Sequence, residues 1–316
     1  MKKTLSALLC FIMILFLFSG CSKDSKAKKI KIGLAAPDVT HGWVAGVSYY
    51  AEKYCKENGI EYNLTTSKNA DEMESNIENL VSWGADAIVL WPQWSGMEKK
   101  VKSIIERGIE VVSFDVDINA GGICKITGNN YDMGYKCAEY ITEKVGEGAV
   151  IAVLDVPSAG SVASLRKKGF YDYLEEVNYN TENIFEIEES GFTADAGYNS
   201  MKKALKEHRK IDAVFSMDDE MSIGVVKAVT ESGRKDIRAV TGGGGKQEYF
   251  KMINDSAYSD LALSSAIYSP SMVEEAIRAS IDMCSGKIAA KVIVIPTAIV
   301  TVENVVNYLD SQNTVY

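Results

Sequence analysis

Residues 87–114, AIVLWPQWSGMEKKVKSIIERGIEVVSF, contain one complete strand–helix–strand unit. Ala87–Leu90 is a continuous apolar run, the pattern of a parallel strand that is buried on both faces. Apolar residues then recur at helical spacing from Val101 to Ile105, and Gly108 ends the predicted helix. The apolar run Val111–Phe114 predicts a second strand. A strand, a helix and a strand of these lengths predict a parallel sheet that is covered by helices.

The same alternation continues on both sides of this unit. Towards the N-terminus, short strands are predicted at Ile32 and Tyr62, each followed by a helical stripe of apolar residues. Beyond residue 128 the alternation restarts, with predicted strands at 149–154, 213–215 and 238–240 and predicted helices around 162–176, 194–208 and 220–232. Two rounds of βαβ units, split near residue 128, predict an α/β protein with two doubly wound parallel-sheet lobes.

The residues that follow the predicted strands share one chemistry. Ligands of such sheets bind at the carboxyl ends of the strands, so these residues are the first candidates for a site. Aromatic rings stand there beside carboxylates: His41, Trp43, Trp91, Asp115, Asp117 and Asp218. Sugars need this combination, because their C–H faces stack on rings and their hydroxyls bond to carboxylates. Two structural alternatives stay open: Asp115 or Asp218 could instead cap the next helix, and Trp43 could belong to the core.

Composition and motif spacing argue against several other function classes. The formal net charge is −9 at pH 7, whereas nucleic-acid binders carry basic patches. Among six cysteines none has C-x-x-C spacing, and there are only two histidines, so we expect no metal site and no cofactor. We expect buried thiols at the four cysteines after Cys21, while a disulfide between Cys124 and Cys137 stays open. The run Gly242–Gly245 before Lys246 is not a phosphate loop, because Val240 stands where that loop needs its first glycine. No nucleophile motif accompanies His41, so we expect a protein that is not an enzyme.

The first thirty residues have the pattern of an export signal. A basic head precedes an apolar run over residues 8–18, which is shorter than the roughly twenty residues of a membrane-spanning helix. The run ends in Leu17-Phe18-Ser19-Gly20-Cys21, which looks like a bacterial lipobox with Phe18 where leucine is usual. We therefore expect residues 1–20 to be removed, Cys21 to be lipidated, and residues 21–29 to be a flexible tether. This arrangement predicts a protein that is lipid-anchored to the outer face of the cell membrane.

Four motifs, in this order along the chain, resemble those of the ribose/galactose class of type I periplasmic binding proteins. They are GNNYDMG at 128–134, RKKGF at 166–170, DDEM at 218–221 with Gly224 behind it, and IPT at 295–297 followed by VT at 300–301 and EN at 303–304. The resemblance covers essentially the whole chain after the leader. It implies three crossings between the lobes, near Thr127, Ile267 and Pro296, and a ligand that is trapped by hinge closure. The implied lobes are 30–127 plus 268–296 and 128–267 plus 297–316.

Carried over by position, the resemblance implies ligand-binding roles for His41, Trp43, Trp91, Asp115, Asn130, Phe192, Asp218 and Tyr268. The chain departs from the family at two pocket positions that are arginine in ribose-type proteins. Val116 and then Asp117 follow the strand-end aspartate, and Ser164 stands at the second position. We include Asp117 and Ser164 among the predicted ligand-binding residues. A pocket with carboxylates and no arginine favours a neutral sugar, a polyol or an amine-bearing ligand over an anion.

These expectations together describe a monomeric solute-binding lipoprotein. It would deliver its ligand to the permease and ATPase of an ABC importer, and it would bind no nucleic acid. The alternative is a ligand-sensing subunit whose lobes dock on a sensor kinase or chemoreceptor. A repressor with the same core would need an N-terminal helix-turn-helix, and residues 1–30 hold the leader instead.

Overall fold

The computed structural model describes residues 29–39, 42–116, 118–287 and 292–316. The strands of this part of the chain are β1 (Lys31–Pro37), β2 (Glu61–Ser67), β3 (Ala87–Leu90), β4 (Glu110–Phe114), β5 (Cys124–Gly128), β6 (Ile151–Asp155), β7 (Ile184–Glu188), β8 (Ala213–Phe215), β9 (Ala239–Gly244), β10 (Ala262–Ile267), β11 (Val292–Ile295) and β12 (Ile299–Val300). The α-helices are α1 (Gly42–Glu57), α2 (Ala70–Trp83), α3 (Glu98–Glu106), α4 (Asn130–Val145), α5 (Ser161–Glu176), α6 (Ala194–Glu207), α7 (Asp219–Ser232), α8 (Gln247–Ile253) and α9 (Val273–Cys284).

The strands form two sheets of six. The first has the order β11-β5-β4-β3-β1-β2 and builds the N-terminal lobe; the second has the order β12-β10-β9-β8-β6-β7 and builds the C-terminal lobe. All described pairings are parallel except that of β10 with β12. The chain passes between the sheets after β5, after β10 and after β11. The predicted fold class, two doubly wound α/β lobes joined by three segments, is confirmed. The residue-level lobe boundaries stay a prediction.

The central strands are buried because helices cover both faces of each sheet. β3 and β6 are buried at every position, as their continuous apolar sequences predict. The helix ends follow local sequence: Asn69 caps α2 by accepting a hydrogen bond from Glu72 N, and Gly84 ends it in the left-handed region with φ 90°. Parallel strands aligned in this way bring the residues after β1, β3 and β4 to one edge of the sheet.

Glycine brings two pairs of helices into backbone contact in the C-terminal lobe. A Cβ atom at Gly134 on α4 would lie 1.7 Å from the carbonyl oxygen of Arg166 on α5, and one at Gly169 would lie 1.9 Å from that of Tyr131. Gly224 on α7 stands equally close to the backbone of α6. These glycines belong to three of the four motifs found in the sequence, so those motifs record helix packing in addition to any ligand contact.

The predicted leader, Cys21 and the predicted tether up to residue 28 lie outside the described residues. No helix in the described ranges is long and apolar enough to cross a membrane. Within the same ranges no cysteine forms a disulfide, and no group of three histidine, cysteine, aspartate or glutamate side chains is arranged to hold a metal ion.

Candidate functional site

A cavity of about 230 Å³ lies between the two lobes at the carboxyl ends of their strands. Six of the predicted ligand-binding residues line it: Trp43, Trp91, Asp115, Phe192, Asp218 and Tyr268. The parallel sheets explain this, because each of these residues follows a strand or begins the next helix. The site therefore lies where the topology of doubly wound sheets places ligands.

The N-terminal lobe contributes a wall of packed aromatic rings. The Trp43 ring is stacked with Phe114, with centroids 6.2 Å apart, and meets the edge of Trp91 at 5.2 Å. The indole Nε1 of Trp43 donates a 2.6 Å hydrogen bond to the backbone oxygen of Tyr268. This bond fixes the ring to the segment after β10, where the chain crosses between the lobes for the second time. Trp43 is thus both a core residue and a cavity residue, so both of the positions that its sequence left open are correct.

Asp115 lies at the end of β4 with a backbone φ of 66°, which is uncommon for a residue other than glycine. Its carboxylate accepts a hydrogen bond from the hydroxyl of Tyr268. That hydroxyl also accepts one from Asn130 Nδ2 at 3.2 Å. Burial raises the pKa of Asp115, although the Tyr268 hydroxyl and the charge of Arg166 act in the opposite direction. Asp115 is therefore held rigidly at the cavity wall, with one oxygen engaged by the protein.

Arg166 is a cavity residue that the sequence reasoning missed. It is 4% exposed, and it donates from Nε to Asn130 Oδ1 at 2.9 Å and from Nη1 to the backbone oxygen of Met217 at 2.8 Å. Its guanidinium lies 4.9 Å from the ring of Tyr268 and 5.5 Å from that of Phe192. Within the described residues Nη2 has no hydrogen-bond partner. The expectation of a cavity without arginine is wrong.

Helical geometry explains the error. Arg166 shares the inner face of α5 with the buried residues Ala163 and Phe170, whereas Ser164 faces outward and is exposed. The Ser164 hydroxyl bonds to the carbonyl oxygen of Ser161 and does not reach the cavity. The spacing of Ala163, Arg166 and Phe170 was a signal in the sequence, because residues three and four apart share a helix face.

Asp218 has both of the roles that its sequence left open. Its Oδ1 accepts hydrogen bonds from the backbone nitrogens of Glu220 and Met221 at 2.8 and 3.2 Å, which caps α7, and its side chain also lines the cavity. Burial, together with the charges of Asp219 and Glu220, raises the pKa of Asp218 to about 8. These surroundings favour the neutral carboxyl form of Asp218, which can donate a hydrogen bond as well as accept one.

The glycine run Gly242–Gly245 lies at the cavity wall, and the side chain of Asp219 holds its end in place. Gly243 and Gly244 line the cavity. The Oδ2 atom of Asp219 accepts from the backbone nitrogens of Gly245 and Lys246 at 2.7 and 2.9 Å. Burial raises the pKa of Asp219 to about 6. The run thus forms the last three residues of β9 and the first residue after it, and it brings bare backbone against the cavity.

The remaining predicted residues lie elsewhere. Asn130 is buried behind the cavity wall, where its amide oxygen and nitrogen are bonded to Arg166 and Tyr268 respectively. It positions two cavity residues and does not line the cavity itself. His41 and Asp117 lie outside the described residues.

The chain matches the family model for the periplasmic binding protein domain over residues 32–288. It is 26% identical, over 315 residues, to the ribose import binding protein of Bacillus subtilis, covering 95% of this chain and 99% of that protein.

Two sugar-bound structures are among the solved structures that share the fold. One is an ABC transporter periplasmic solute-binding protein from Actinobacillus succinogenes with bound D-allose, with a TM-score of 0.79 and 19% identity over 89% of this chain and 100% of that one. The other is the binding component of the arabinose ABC transporter from Shewanella sp. ANA-3 bound to L-arabinofuranose, with a TM-score of 0.77 and 24% identity over 88% of this chain and 94% of that one.

Proposed function

The chain belongs to the family of periplasmic binding proteins, and on that basis we propose that it captures a neutral sugar or polyol between its lobes and delivers it to the permease of an ABC importer. Proteins of this family bind solutes outside the cytoplasm, and this chain is likewise a binding protein and not an enzyme. The observation that carries the proposal is the cavity between the lobes, where an aromatic wall faces two carboxyl groups and one guanidinium.

The polar groups of the cavity suit hydroxyls. A sugar hydroxyl accepts one hydrogen bond and donates another, so it can bridge Nη2 of Arg166, which has no partner among the described residues, and a carboxyl oxygen of Asp115 or Asp218. The rings of Trp43 and Trp91 line the cavity with apolar surface, on which the C–H groups of the ligand can pack. The names of the relatives, which refer to ribose, allose and arabinofuranose, support a monosaccharide.

An amine-bearing ligand fits the cavity less well than a neutral one. A ligand cation would seek aromatic faces next to a carboxylate. The guanidinium of Arg166 already lies over the rings of Tyr268 and Phe192. A second cation in the same space would meet like charge, so the protein's own arginine favours neutral ligands.

Two measurements test the ligand class. Mass spectrometry of the small molecule that co-purifies with the protein should find a neutral sugar or polyol. A thermal-shift panel of neutral, acidic, phosphorylated and amino sugars should give stabilisation by one or more neutral members, because a ligand that binds only the folded state raises its stability. Stabilisation by acidic sugars or phosphates alone would contradict the proposal.

We propose that the protein is a monomer and that acyl chains on Cys21 anchor it at the outer face of the cell membrane. Residues 21–29 would then be the tether between the anchor and the lobes. The lipobox-like sequence that ends at Cys21 supports this anchor. Expression of a Cys21→Ser variant tests it: the wild-type protein should carry acyl chains and sediment with membranes, and the variant should not. Co-purification with a permease and its ATPase tests the transport partners. If a sensor kinase or chemoreceptor co-purifies with the protein instead, the protein is a ligand-sensing subunit and the importer proposal is wrong.

A further inference from the structure

The C-terminal residues Asn313–Tyr316 connect the two lobes by side-chain contacts, and we name this segment the C-terminal clasp. We propose that the clasp holds the N-terminus of α1 against the C-terminal lobe and opposes the opening of the cavity. It acts in addition to the three covalent crossings between the sheets.

The chain before the clasp is fastened to the C-terminal lobe. Gln247, at the start of α8, donates from Nε2 to the backbone oxygen of Tyr308 at 3.0 Å and accepts at Oε1 from the backbone nitrogen of Asp310 at 2.7 Å. The Tyr308 ring also lies 6.1 Å from that of Phe250 on α8. This part of the chain therefore moves with the C-terminal lobe.

The clasp itself is fastened to the N-terminal lobe. Asn313 Nδ2 donates to the hydroxyl of Tyr50, on α1, at 2.7 Å. The Asn313 Oδ1 atom accepts from the backbone nitrogens of Val315 and Tyr316, both at 3.1 Å, which turns the chain back towards α1. One asparagine side chain thus ties the segment to α1 and sets the direction of its last residue.

Tyr316 fills a notch between the lobes and is 3% exposed. A Cβ atom at Gly46 on α1 would lie 3.1 Å from the Cβ of Tyr316, and one at Gly244 would lie 2.2 Å from its hydroxyl oxygen. The Lys246 ammonium covers the ring, 5.0 Å from the centroid. The ring therefore packs both on α1 and on Gly244, in the glycine run that lines the cavity.

A hydrogen bond between the lobes lies beside this ring. The backbone nitrogen of Gly42, the first residue of α1, donates to Glu220 Oε1 at 2.9 Å, and Lys246 Nζ donates to the same oxygen at 3.3 Å. If the lobes separate about their three crossings, α1 moves away from Glu220 and from the glycine run. Tyr316 must then leave one of its two surfaces, so its burial opposes that motion.

The consequence for the ligand rests on the proposed function: a clasp that slows opening lengthens the residence time of a bound sugar. The test needs no ligand, so its failure is distinct from a failure of the sugar proposal. The amide of Gly42 begins a helix and has no intrahelical acceptor, and its bond to Glu220 exists only while the lobes are in contact. Hydrogen exchange at this amide, measured by NMR on the ligand-free protein, therefore reports the opening of the lobes.

In Tyr316→Ala the Gly42 amide should exchange about tenfold faster than in the wild type, because local opening needs less free energy. The radius of gyration from solution scattering should also increase. Tyr316→Phe keeps the ring and should behave as the wild type, since the Tyr316 hydroxyl has no partner among the described residues. Tyr308→Ala is the matched control, because it removes a ring from the chain before the clasp, where the ring packs on Phe250 of the C-terminal lobe.

Unchanged exchange and scattering in a folded Tyr316→Ala protein would overturn the clasp. Equal acceleration in Tyr308→Ala would also overturn it, because the effect would then be general loosening. If Tyr316→Ala does not fold, Asn313→Ala decides. It removes the bond to Tyr50, and faster Gly42 exchange supports the clasp, whereas an unchanged rate rejects it.

Discussion

The hydroxyl of Tyr268 donates a hydrogen bond to the carboxylate of Asp115, and this bond joins the second lobe crossing to the end of β4. Asn130, at the start of the first helix of the C-terminal lobe, donates to the same hydroxyl. Parts of both lobes and of a crossing thus meet at one oxygen atom directly behind the cavity. This oxygen fixes the position of Asp115 and ties the lobes to each other.

Tyr268→Phe should lower the free energy of unfolding by about 1–3 kcal/mol, because it leaves the buried Asp115 carboxylate without its donor. Urea unfolding at neutral pH measures this loss. Tyr140→Phe is the control: the buried Tyr140 hydroxyl donates to the backbone oxygen of Leu263 and touches no carboxylate. A loss for Tyr268→Phe no greater than that for Tyr140→Phe would contradict the central role of this bond.

Asp115→Asn should weaken sugar binding by about 2 kcal/mol, since a charged acceptor for ligand hydroxyls becomes a neutral one. Asparagine tolerates the left-handed φ of this position better than alanine does, so the backbone should stay in place. Calorimetric titration with the sugar found in the thermal-shift panel gives the affinity. Asp155→Asn, at the end of β6 and not in the cavity, should leave it unchanged. Equal affinities for both variants would remove Asp115 from the site.

Asp218→Asn should become more stable relative to the wild type as the pH rises from about 4 to about 8. The folded protein keeps the proton on Asp218 up to its raised pKa of about 8, whereas the unfolded chain releases it near its ordinary pKa of about 4. The wild type therefore loses stability over this window, by at most about 1.4 kcal/mol per pH unit. Asparagine can still cap α7, so the helix start is preserved.

Urea unfolding of both proteins at several pH values checks this prediction. The difference between them isolates Asp218 from the other titrating groups. A difference that stays constant from about pH 4 to about pH 8 would show that Asp218 titrates as an exposed carboxyl does.

Gly169→Ala should destabilise the C-terminal lobe by about 2 kcal/mol or more, because the added methyl group meets the backbone of α4 and the helices must separate. Thermal unfolding followed by circular dichroism measures the shift. Gly191→Ala is the matched control in the same lobe, since no atom lies within 4 Å of its added Cβ. Similar melting temperatures for the two variants would show that α4 and α5 do not depend on this close approach.

The fold was predictable wherever local pattern and burial agree. The predicted helices at 162–176, 194–208 and 220–232 match α5, α6 and α7 to within one residue at each end. β10 was not predicted, because it carries two serines, Ser264 and Ser265, in a strand that is largely buried. The Ser265 hydroxyl donates a hydrogen bond to Asp219, which lies 46 residues away in the chain. Local sequence alone cannot predict such a distant partner.

The site was predictable in its position and only partly in its chemistry. Strand ends identified Asp115 and Asp218 because parallel topology brings such residues together. Alignment by motif placed Ser164 in the site and left Arg166 out, although only the latter points inward. Which oxygens are already bonded by the protein, as at Asn130, depends on contacts between lobes that no local pattern records.

The bonds and rings around Arg166 have a consequence for how strongly the empty cavity can bind. Two of its nitrogens are hydrogen-bonded and its guanidinium lies near the rings of Tyr268 and Phe192, so its rotamer is fixed before any ligand arrives. Ordering a side chain of this kind on binding costs about 0.5–1.5 kcal/mol. Here that entropy is lost during folding instead, and the donor Nη2 is preorganised for whichever oxygen the ligand presents.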